Sequence, residues 1–237
     1  MSISNKVVLL TGASKGIGKQ LALTLAGMGN QLALVARSEA ELLTLQAECE
    51  QIGSKCLVFA GNVSDESLVK KAVAGTLAAF GRIDFMINNA GYGIFGPTES
   101  YSSEQWSNIY DTNVKGTFLF CKEVLESMKA AQSGYIINVA SDVAKRVFDG
   151  GALYCSSKFA QDAFSAALRK EVRKHGIKVS VVYSGLVDTP FHGTSGGEGK
   201  EGWLTGEDMA NAIVFMMSQP KHVVIDELMI HPLNQDY

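Results

Sequence analysis

The chain has 237 residues, of which 46% are hydrophobic and 19% are charged, and its formal net charge at pH 7 is −3. This composition is ordinary for a globular protein, and an α/β chain of this length commonly folds as a single domain. The acidic balance argues against nucleic acid as a partner, and the sequence lacks an apolar run long enough to span a membrane.

The N-terminus and the cysteines bear on location. The segment Met1–Lys6 lacks the charged-then-apolar pattern of a secretory signal. The cysteines show neither a CxxC pair nor metal-ligand spacing; they are Cys49, Cys56, Cys121 and Cys155. We therefore expect reduced, buried cysteines, no metal site and a cytoplasmic protein.

Short apolar runs alternate with amphipathic segments along the chain. The runs predict strands at Lys6–Thr11, Gln31–Val35, Lys55–Phe59, Ile83–Asn88, Tyr135–Ala140, Lys178–Tyr183 and Val223–Met229. The segments between them predict helices at Gly16–Gly29, from Ser38, at Asp65–Phe80, from Ser102, at Val114–Ala131, at Leu153–His175 and at Glu207–Ser218. Capping boxes at Ser38–Glu41 and Ser102–Gln105 mark two of the helix starts.

The predicted strands are continuous apolar runs, which is the pattern expected when both faces of a sheet are covered. The alternation predicts one α/β domain over residues 1–237, a doubly wound Rossmann sheet of seven mostly parallel strands flanked by helices. The glycine-rich segment Phe191–Gly202 shows no apolar periodicity and is predicted to be a mobile loop beside the ligand crevice.

Glycines mark the junction between the first strand and the first helix. The segment Thr11–Gly18 has the order GxxxGxG, which is neither a phosphate-binding Walker loop nor the GxGxxG spacing. Glycine still lets the backbone approach a pyrophosphate, and the helix N-terminus supplies N–H donors. At this junction of a parallel α/β chain, the pattern favours nucleotide binding over a plain turn.

The end of the second strand bears on which dinucleotide binds. Folds that bind NAD usually carry an acid there, about 20 residues beyond the glycines, to hold the ribose hydroxyls. This chain has Arg37 instead, and a guanidinium suits a 2′-phosphate, with Lys15 as a second cation. The pair predicts NADP(H) as cofactor, unless Arg37 is simply a surface residue at a helix start.

Tyr154 and Lys158 lie four residues apart at the start of a predicted helix, so their side chains share a face. A nearby cation favours tyrosinate and lowers the pKa of the phenol, which makes it a proton donor and acceptor near neutral pH. The alternative is a surface tyrosine over a solvated lysine, because this spacing also arises by chance.

Together these features resemble the short-chain dehydrogenase/reductase family over essentially the whole chain. The motifs that carry the resemblance are Thr11–Gly18, Asn88–Gly91, Asn113, Ser141, Tyr154 and Lys158. Ser141 precedes Tyr154 by 13 residues, the separation usual in this family. The resemblance implies an oxidoreductase that transfers a hydride between NADP(H) and a small-molecule carbonyl or secondary alcohol.

The resemblance also implies a role for each catalytic position. Tyr154 would donate a proton to the substrate oxygen during reduction, or accept one during oxidation. Lys158 would lower the pKa of Tyr154 and bond the nicotinamide ribose. Ser141 would hydrogen-bond the substrate oxygen, and Asn113 would hold a water that relays protons toward Lys158.

The implied cofactor positions follow the same motifs. The pyrophosphate would be lined by Gly12, Ser14, Ile17 and Gly18, and the adenine would be contacted by Asn62 and Val63. The adenosine half would pack along Asn89, Ala90 and Gly91. The carboxamide and phosphates would meet Val187 and Thr189. Asn62 stands where the family often has Asp, and its amide can still bond adenine. Ser184–Gly185 replaces the common Pro-Gly, which predicts a looser turn beneath the nicotinamide.

Apolar residues dominate the segments expected around the substrate. They are Gly93, Ile94, Phe95, Val143, Phe148, Leu186, Phe191 and Trp203. They predict a pocket for a carbonyl compound of modest polarity, although each also fits ordinary core or loop packing.

Two other functions stay open. The first is a 3-oxoacyl-acyl-carrier-protein reductase, but Val223–Tyr237 lacks the glycine pair that ends those family members. The second is a non-catalytic NADP(H) sensor, although the tyrosine and lysine that such a sensor would be expected to lose are both present.

The resemblance further implies a homodimer or homotetramer assembled through the long helices near Val114–Ala131 and Leu153–His175. Phe159, Ala160, Ala163 and Phe164 fit that packing, and they fit burial within one subunit equally well.

Overall fold

A computed structural model describes residues 3–192, without the side chain of His192, and residues 200–236. Residues 193–199, which form most of the predicted mobile loop, lie outside the described part. No helix within the described residues is both long enough and apolar enough to cross a bilayer.

Within residues 3–192 and 200–236, seven parallel strands form one sheet. The strands are β1 Val7–Thr11, β2 Gln31–Ala36, β3 Cys56–Ala60, β4 Phe85–Asn88, β5 Gly134–Val139, β6 Ile177–Ser184 and β7 Glu227–Ile230. Their order across the sheet is β3-β2-β1-β4-β5-β6-β7, and each neighbouring pair is parallel. The Rossmann prediction is therefore confirmed, with strand order reversing between β1 and β4, where such folds bind ligands.

In the part of the chain that the structure describes, seven α-helices cover the two faces of the sheet. They are α1 Gly16–Gly27, α2 Glu39–Gln51, α3 Glu66–Phe80, α4 Ser103–Tyr110, α5 Gly116–Ala131, α6 Ala152–Val172 and α7 Gly206–Met217. The core against α1, α2 and α7 contains Val8 and Leu10, whereas Leu9 belongs to the core against α3, α5 and α6. Successive β1 side chains thus fill opposite cores, which explains the uninterrupted apolar run.

Of the two predicted capping boxes, one forms completely and the other forms only one of its two hydrogen bonds. Ser102 and Gln105 form the predicted reciprocal capping box. Ser38 accepts a hydrogen bond from the backbone N–H of Glu41, but the Glu41 carboxylate pairs with Lys15 at 2.7 Å instead of closing the box. The local pattern identified the helix start correctly and missed a stronger competing partner.

The predicted start of the last strand is wrong. We expected the strand to begin at Val223, and it begins at Glu227. The chain turns first, because the N–H of Val223 donates to the carbonyl of Pro220 at 2.9 Å. The β-branched residues that suggested a strand therefore lie in a turn and an irregular connection.

Candidate active site

A cavity of about 1300 Å³ opens at the carboxyl edge of the sheet. The predicted site residues on its wall are Gly12, Ser14, Lys15, Ile17, Arg37, Asn62, Val63, Asn89, Ala90, Gly91, Ser141, Tyr154, Lys158, Val187 and Thr189. Gly18 and Asn113, also predicted for the site, do not line the cavity. The fold thus brings together residues from the first to the sixth strand, as expected where parallel strands end at one edge.

The glycine turn is packed closely against the segment after β4. Gly12 has φ +64°, and a Cβ placed on it would lie 2.8 Å from Cα of Ala90. Thr11 Oγ1 accepts the N–H groups of Asn89 and Ala90, each at 3.1 Å. A Cβ on Gly18 would lie 2.1 Å from the carbonyl oxygen of Gly12, so Gly18 is needed for the turn to close rather than to line the cavity.

Two cations lie where β2 ends. Arg37 is exposed on the cavity wall, and Lys15 faces the same space from the glycine turn. Glu41 also lines the cavity, and its hydrogen bond from Lys15 is the main cause that lowers the pKa of this carboxyl. Sequence reasoning missed Glu41, because it read this residue only as part of a capping box.

The catalytic candidates come from the end of β5 and the start of α6. Lys158 is 4% exposed, and its Nζ donates to the carbonyl of Val139 at 3.2 Å and to Oε1 of Gln161 at 3.1 Å. The same Nζ lies 5.8 Å from the centroid of the Tyr154 ring. Burial lowers the pKa of Lys158 to about 8.

The expected lowering of the Tyr154 pKa does not occur in this structure. Burial raises the pKa of the Tyr154 phenol above its ordinary value, and a hydrogen bond with Ser141 opposes that rise. The net direction is upward because burial is the largest cause acting on the phenol. The phenol is therefore held in its protonated form. The lowering contribution of Lys158 that the resemblance implies stays a prediction.

Asn113 is buried in a π-helical turn, Asp111–Lys115, between α4 and α5. Its Oδ1 accepts the N–H of Tyr92, and its Nδ2 donates to the carbonyl of Tyr92 and to Oγ of Ser157, each at 3.0 Å. The side chain thus joins the loop after β4 to α6. The water-relay role that the resemblance implies stays a prediction.

Gln161 belongs to the surroundings of Lys158, although sequence reasoning did not single it out. The residue is fully buried, and its Nε2 donates to Oγ1 of Thr117 at 3.0 Å. Oγ1 of Thr117 in turn donates to the main-chain carbonyl of Asn113 at 3.0 Å. A polar residue three positions after Lys158 on the buried side of the helix was the signal available in the sequence.

Asp142 is a second group that the sequence analysis missed. It is 3% exposed, and its Oδ1 accepts a hydrogen bond from Oγ of Ser141 at 3.0 Å. Its Oδ2 accepts Nε of Arg146 and Nε2 of Gln235, each at 2.9 Å, and lies 3.3 Å from Nε2 of His231. The carboxylate connects the catalytic candidate Ser141 with the C-terminal segment.

The turn after β6 is held by hydrogen bonds. The looser turn that we expected from Ser184–Gly185 is therefore not observed. The N–H of Gly185 donates to the carbonyl of Ile230, and the N–H of Leu186 donates to Oε1 of Gln235, each at 2.8 Å. A proline at position 184 is not needed because the C-terminal segment supplies these partners.

Most of the predicted substrate residues lie on the cavity wall: Gly93, Phe95, Val143, Phe148, Leu186 and Phe191. The other two do not. Ile94 packs into a small core with Ile109 and Leu153, and Trp203 lies outside the cavity lining. All four cysteines are buried, and the described ranges contain no cluster of His, Cys, Asp and Glu able to hold a metal ion.

Comparison with known proteins identifies the family. The family model described as short chain dehydrogenase matches residues 6–198. The chain belongs to the short-chain dehydrogenase family. It is 33% identical over 232 residues to an uncharacterized oxidoreductase of Staphylococcus epidermidis, covering 98% of this chain and 99% of that protein. It is also 30% identical over 237 residues to a sepiapterin reductase of Chlorobaculum tepidum, covering 97% of each.

Solved structures of this family agree with the fold. An alcohol dehydrogenase from the archaeon Thermococcus sibiricus, complexed with 5-hydroxy-NADP, superposes with a TM-score of 0.92 at 31% identity over 99% of each chain. A metagenomic short-chain oxidoreductase in complex with NADP superposes with a TM-score of 0.87 at 28% identity, covering 99% of this chain and 100% of that one.

Proposed function

We propose that this short-chain dehydrogenase transfers a hydride between NADP(H) and a small neutral carbonyl or secondary alcohol, with Tyr154 as the proton donor and acceptor. One observation carries the proposal. Ser141, Tyr154 and Lys158 share the wall of one cavity with the glycine turn and Arg37. A proton-transfer group and a dinucleotide cradle thus face the same space.

The residues on the wall fit the cofactor. The glycine turn lines the cavity through Gly12, Ser14 and Ile17, so its backbone can approach a pyrophosphate there. The N-terminus of α1 supplies N–H donors, and Arg37 supplies a guanidinium for a 2′-phosphate. When bound, the nicotinamide supplies the hydride.

The chain's own residues supply the proton chemistry. Since burial raises the pKa of Tyr154, the phenol keeps its proton at neutral pH and can donate it to a substrate oxygen during reduction. The hydroxyl of Ser141 donates to Oδ1 of Asp142 at 3.0 Å, and it can hydrogen-bond the same substrate oxygen when its single proton rotates away from that carboxylate. The phenolate left after transfer is stabilised by the ammonium of Lys158, which lies on the same helix face.

The names of two similar proteins support this chemistry. They are a sepiapterin reductase and an alcohol dehydrogenase, and both names describe oxidoreductases. The acyl-carrier-protein reductase and the non-catalytic sensor are the alternatives that the experiment must separate.

The first test is a fluorescence titration of the purified protein with NADPH and, separately, with NADH. We expect NADPH to bind more tightly. A preference for NADH would contradict the role of Arg37 and leave the proton chemistry intact. Binding of neither would contradict the whole proposal.

The second test is a panel of neutral ketones, aldehydes and acetoacetyl-coenzyme A, assayed with NADPH. Tyr154→Phe is expected to lower kcat by about 100-fold or more while leaving the Kd for NADPH nearly unchanged. Tyr135→Phe is the matched control, because it removes a buried hydroxyl that contacts Ser180 at 2.8 Å, away from the cavity. A fast reaction with only the coenzyme A ester would favour the acyl reductase, and cofactor binding without turnover would favour the sensor.

A further inference from the structure

Three phenylalanines line the cavity, and we call Phe95, Phe148 and Phe191 the phenylalanine wall. They come from the loops after β4, β5 and β6 and all line the cavity together with Tyr154. These residues are 46%, 44% and 37% exposed, respectively, although each carries a large apolar ring. Exposed rings gathered in one cavity indicate a surface that a ligand covers.

The rings of the wall contact one another and the catalytic candidate. The centroid of Phe95 lies 5.8 Å from that of Phe148 and 6.5 Å from that of Phe191. The Tyr154 ring lies 5.5 Å from Phe95 in an edge-to-face arrangement and 5.6 Å from Phe191. The wall therefore begins at the ring that carries the reacting hydroxyl.

Two glycines pack against the rings of the wall at positions where a side chain would collide with them. A Cβ on Gly93 would lie 2.5 Å from Cζ of Phe95 and 3.1 Å from Cζ of Phe191. A Cβ on Gly151 would lie 2.7 Å from Cε1 of Phe148. Since carbon atoms do not approach so closely, the rings can hold these positions only while both residues lack side chains.

Polar groups line the same cavity next to the phenylalanine wall. The hydroxyls of Ser141 and Tyr154 lie on the cavity wall, where a carbonyl oxygen can meet them. Of the charged groups on the same wall, Asp142 and Arg146 pair with each other, and Lys158 lies beside the Tyr154 ring. A substrate whose oxygen meets Ser141 and Tyr154 therefore directs a substituent toward the wall. Rings at 4.5–7 Å centroid spacing gain from quadrupole complementarity as well as from burial, so this surface suits an aromatic substituent better than a saturated one.

We infer that the phenylalanine wall binds an aromatic ring attached to the reacting carbon, so that the substrates are aryl ketones, aryl aldehydes or the matching benzylic alcohols. This inference rests on the proposed function, because it takes Ser141 and Tyr154 as the groups that hold the oxygen. Aromatic pairing beyond burial predicts a preference of roughly 3- to 10-fold for an aryl group over a saturated ring of the same carbon skeleton.

The test compares acetophenone with cyclohexyl methyl ketone, using NADPH and the full chain. The ratio of their kcat/KM values is measured in the wild type, in Phe95→Leu and in Phe148→Leu. Intrinsic reactivity cancels when the ratio of a variant is divided by that of the wild type. We expect the aryl preference to fall roughly 3- to 10-fold in both variants.

Phe118→Leu is the matched control, because Phe118 is 43% exposed on α5 and does not line the cavity. Its ratio is expected to equal that of the wild type. An unchanged ratio in both wall variants, or an equal fall in Phe118→Leu, would overturn the inference. Melting temperature and NADPH affinity verify that each variant is folded.

A binding measurement separates this inference from the proposed function. Benzamide and cyclohexanecarboxamide carry a carbonyl that NADPH does not reduce, and calorimetry gives their Kd values on the NADP⁺-loaded protein. We expect benzamide to bind roughly 3- to 10-fold more tightly, with the difference lost in Phe95→Leu. If benzamide binds more tightly but no ketone is turned over, the proposed function is rejected, while the aromatic-ring binding by the phenylalanine wall stands. If both ketones are turned over and the two amides bind equally, the proposed function stands, and the inference that the phenylalanine wall prefers an aromatic ring is overturned.

Discussion

The amide oxygen of Gln161 lies 3.1 Å from Nζ of Lys158 and accepts a hydrogen bond from it inside the protein. Gln161 is fixed in this orientation because its Nε2 donates to Oγ1 of Thr117 at 3.0 Å. A hydrogen bond to the charged form of a group favours that form. Gln161 therefore supports the ammonium of Lys158 against the burial that lowers its pKa.

Replacing Gln161 is expected to shift a pH profile. In Gln161→Leu the ammonium loses one acceptor, so the pKa of Lys158 should fall below its value of about 8. A hydrogen bond to a charged group contributes about 1.5–3 kcal/mol, which corresponds to a shift of about one to two pH units. The basic limb of kcat/KM against pH should move to lower pH by about that much, and Gln161→Glu should move it upward.

Ser165→Ala is the control for this experiment. Oγ of Ser165 donates to the main-chain carbonyl of Gln161 at 2.7 Å without touching Lys158. The variant should lose stability and keep the wild-type profile. If Ser165→Ala and Gln161→Leu moved the profile equally, the effect would come from general loosening of α6.

The buried Lys158 also predicts how stability depends on pH. Burial lowers its pKa to about 8 from an ordinary 10.5, so between these values the unfolded chain binds more protons than the folded one. Stability from this group therefore rises with pH across that window. Relative to Lys158→Met, the wild-type free energy of unfolding should increase by about 2 kcal/mol between pH 7 and pH 9.5.

Denaturant unfolding of the cofactor-free protein at a series of pH values measures this difference. Lys129→Met, which removes an exposed lysine at the end of α5, should show no such trend against the wild type. A difference between wild type and Lys158→Met that stays constant from pH 7 to pH 9.5 would contradict the lowered pKa.

Much of the fold could be predicted because it depends on local patterns. Continuous runs such as β1, Val7–Thr11, are buried on both faces, and the turn Thr11–Gly18 needs glycine for its own geometry. The strand predicted to begin at Val223 was wrong because a local pattern was the only evidence for it. Its apolar residues satisfy the pattern, but the turn that begins at Pro220 is set by contacts that the pattern does not contain.

The site was harder to predict where it depends on residues far apart in the chain. Asp142 is surrounded by Arg146, Gln235 and His231. The sequence around Asp142 does not indicate that Gln235 and His231, which lie about 90 residues later, contact it. The pKa of Tyr154 depends on burial, whereas the Tyr-x-x-x-Lys spacing describes only its nearest cation. A motif identifies which groups meet, and packing decides their protonation.

Cofactor preference is expected to depend on Arg37 and Glu41 in opposite directions. Arg37→Ala should lower the ratio of NADPH to NADH affinity by about 10-fold, the lower end for charge-assisted hydrogen bonds, because the side chain is exposed. Glu41→Gln should tighten NADPH a few-fold, since it removes a carboxylate from the cavity and releases Lys15 from its 2.7 Å ion pair.

Fluorescence titrations of both dinucleotides measure these ratios. Glu39→Gln is the matched control, because Glu39 lies in the same helix turn but does not line the cavity. A tighter NADPH complex in both glutamate variants would indicate a general charge effect. Loss of NADH affinity equal to that of NADPH in Arg37→Ala would mean that Arg37 does not bind the 2′-phosphate.

Assembly into a homodimer or homotetramer stays a prediction, and the outer faces of α5 and α6 make it testable. Phe118 and Phe159 are 43% and 42% exposed there, and Phe118 contacts Phe164 of α6 at a centroid distance of 6.0 Å. If these faces meet a second copy, Phe118→Glu buries a charge in an apolar interface and should give a monomer by sedimentation velocity at micromolar concentration. Phe215→Glu on α7, where the ring is 55% exposed, should keep the wild-type state. A monomeric wild type would reject the assembly, and dissociation by Phe215→Glu alone would move the interface to α7.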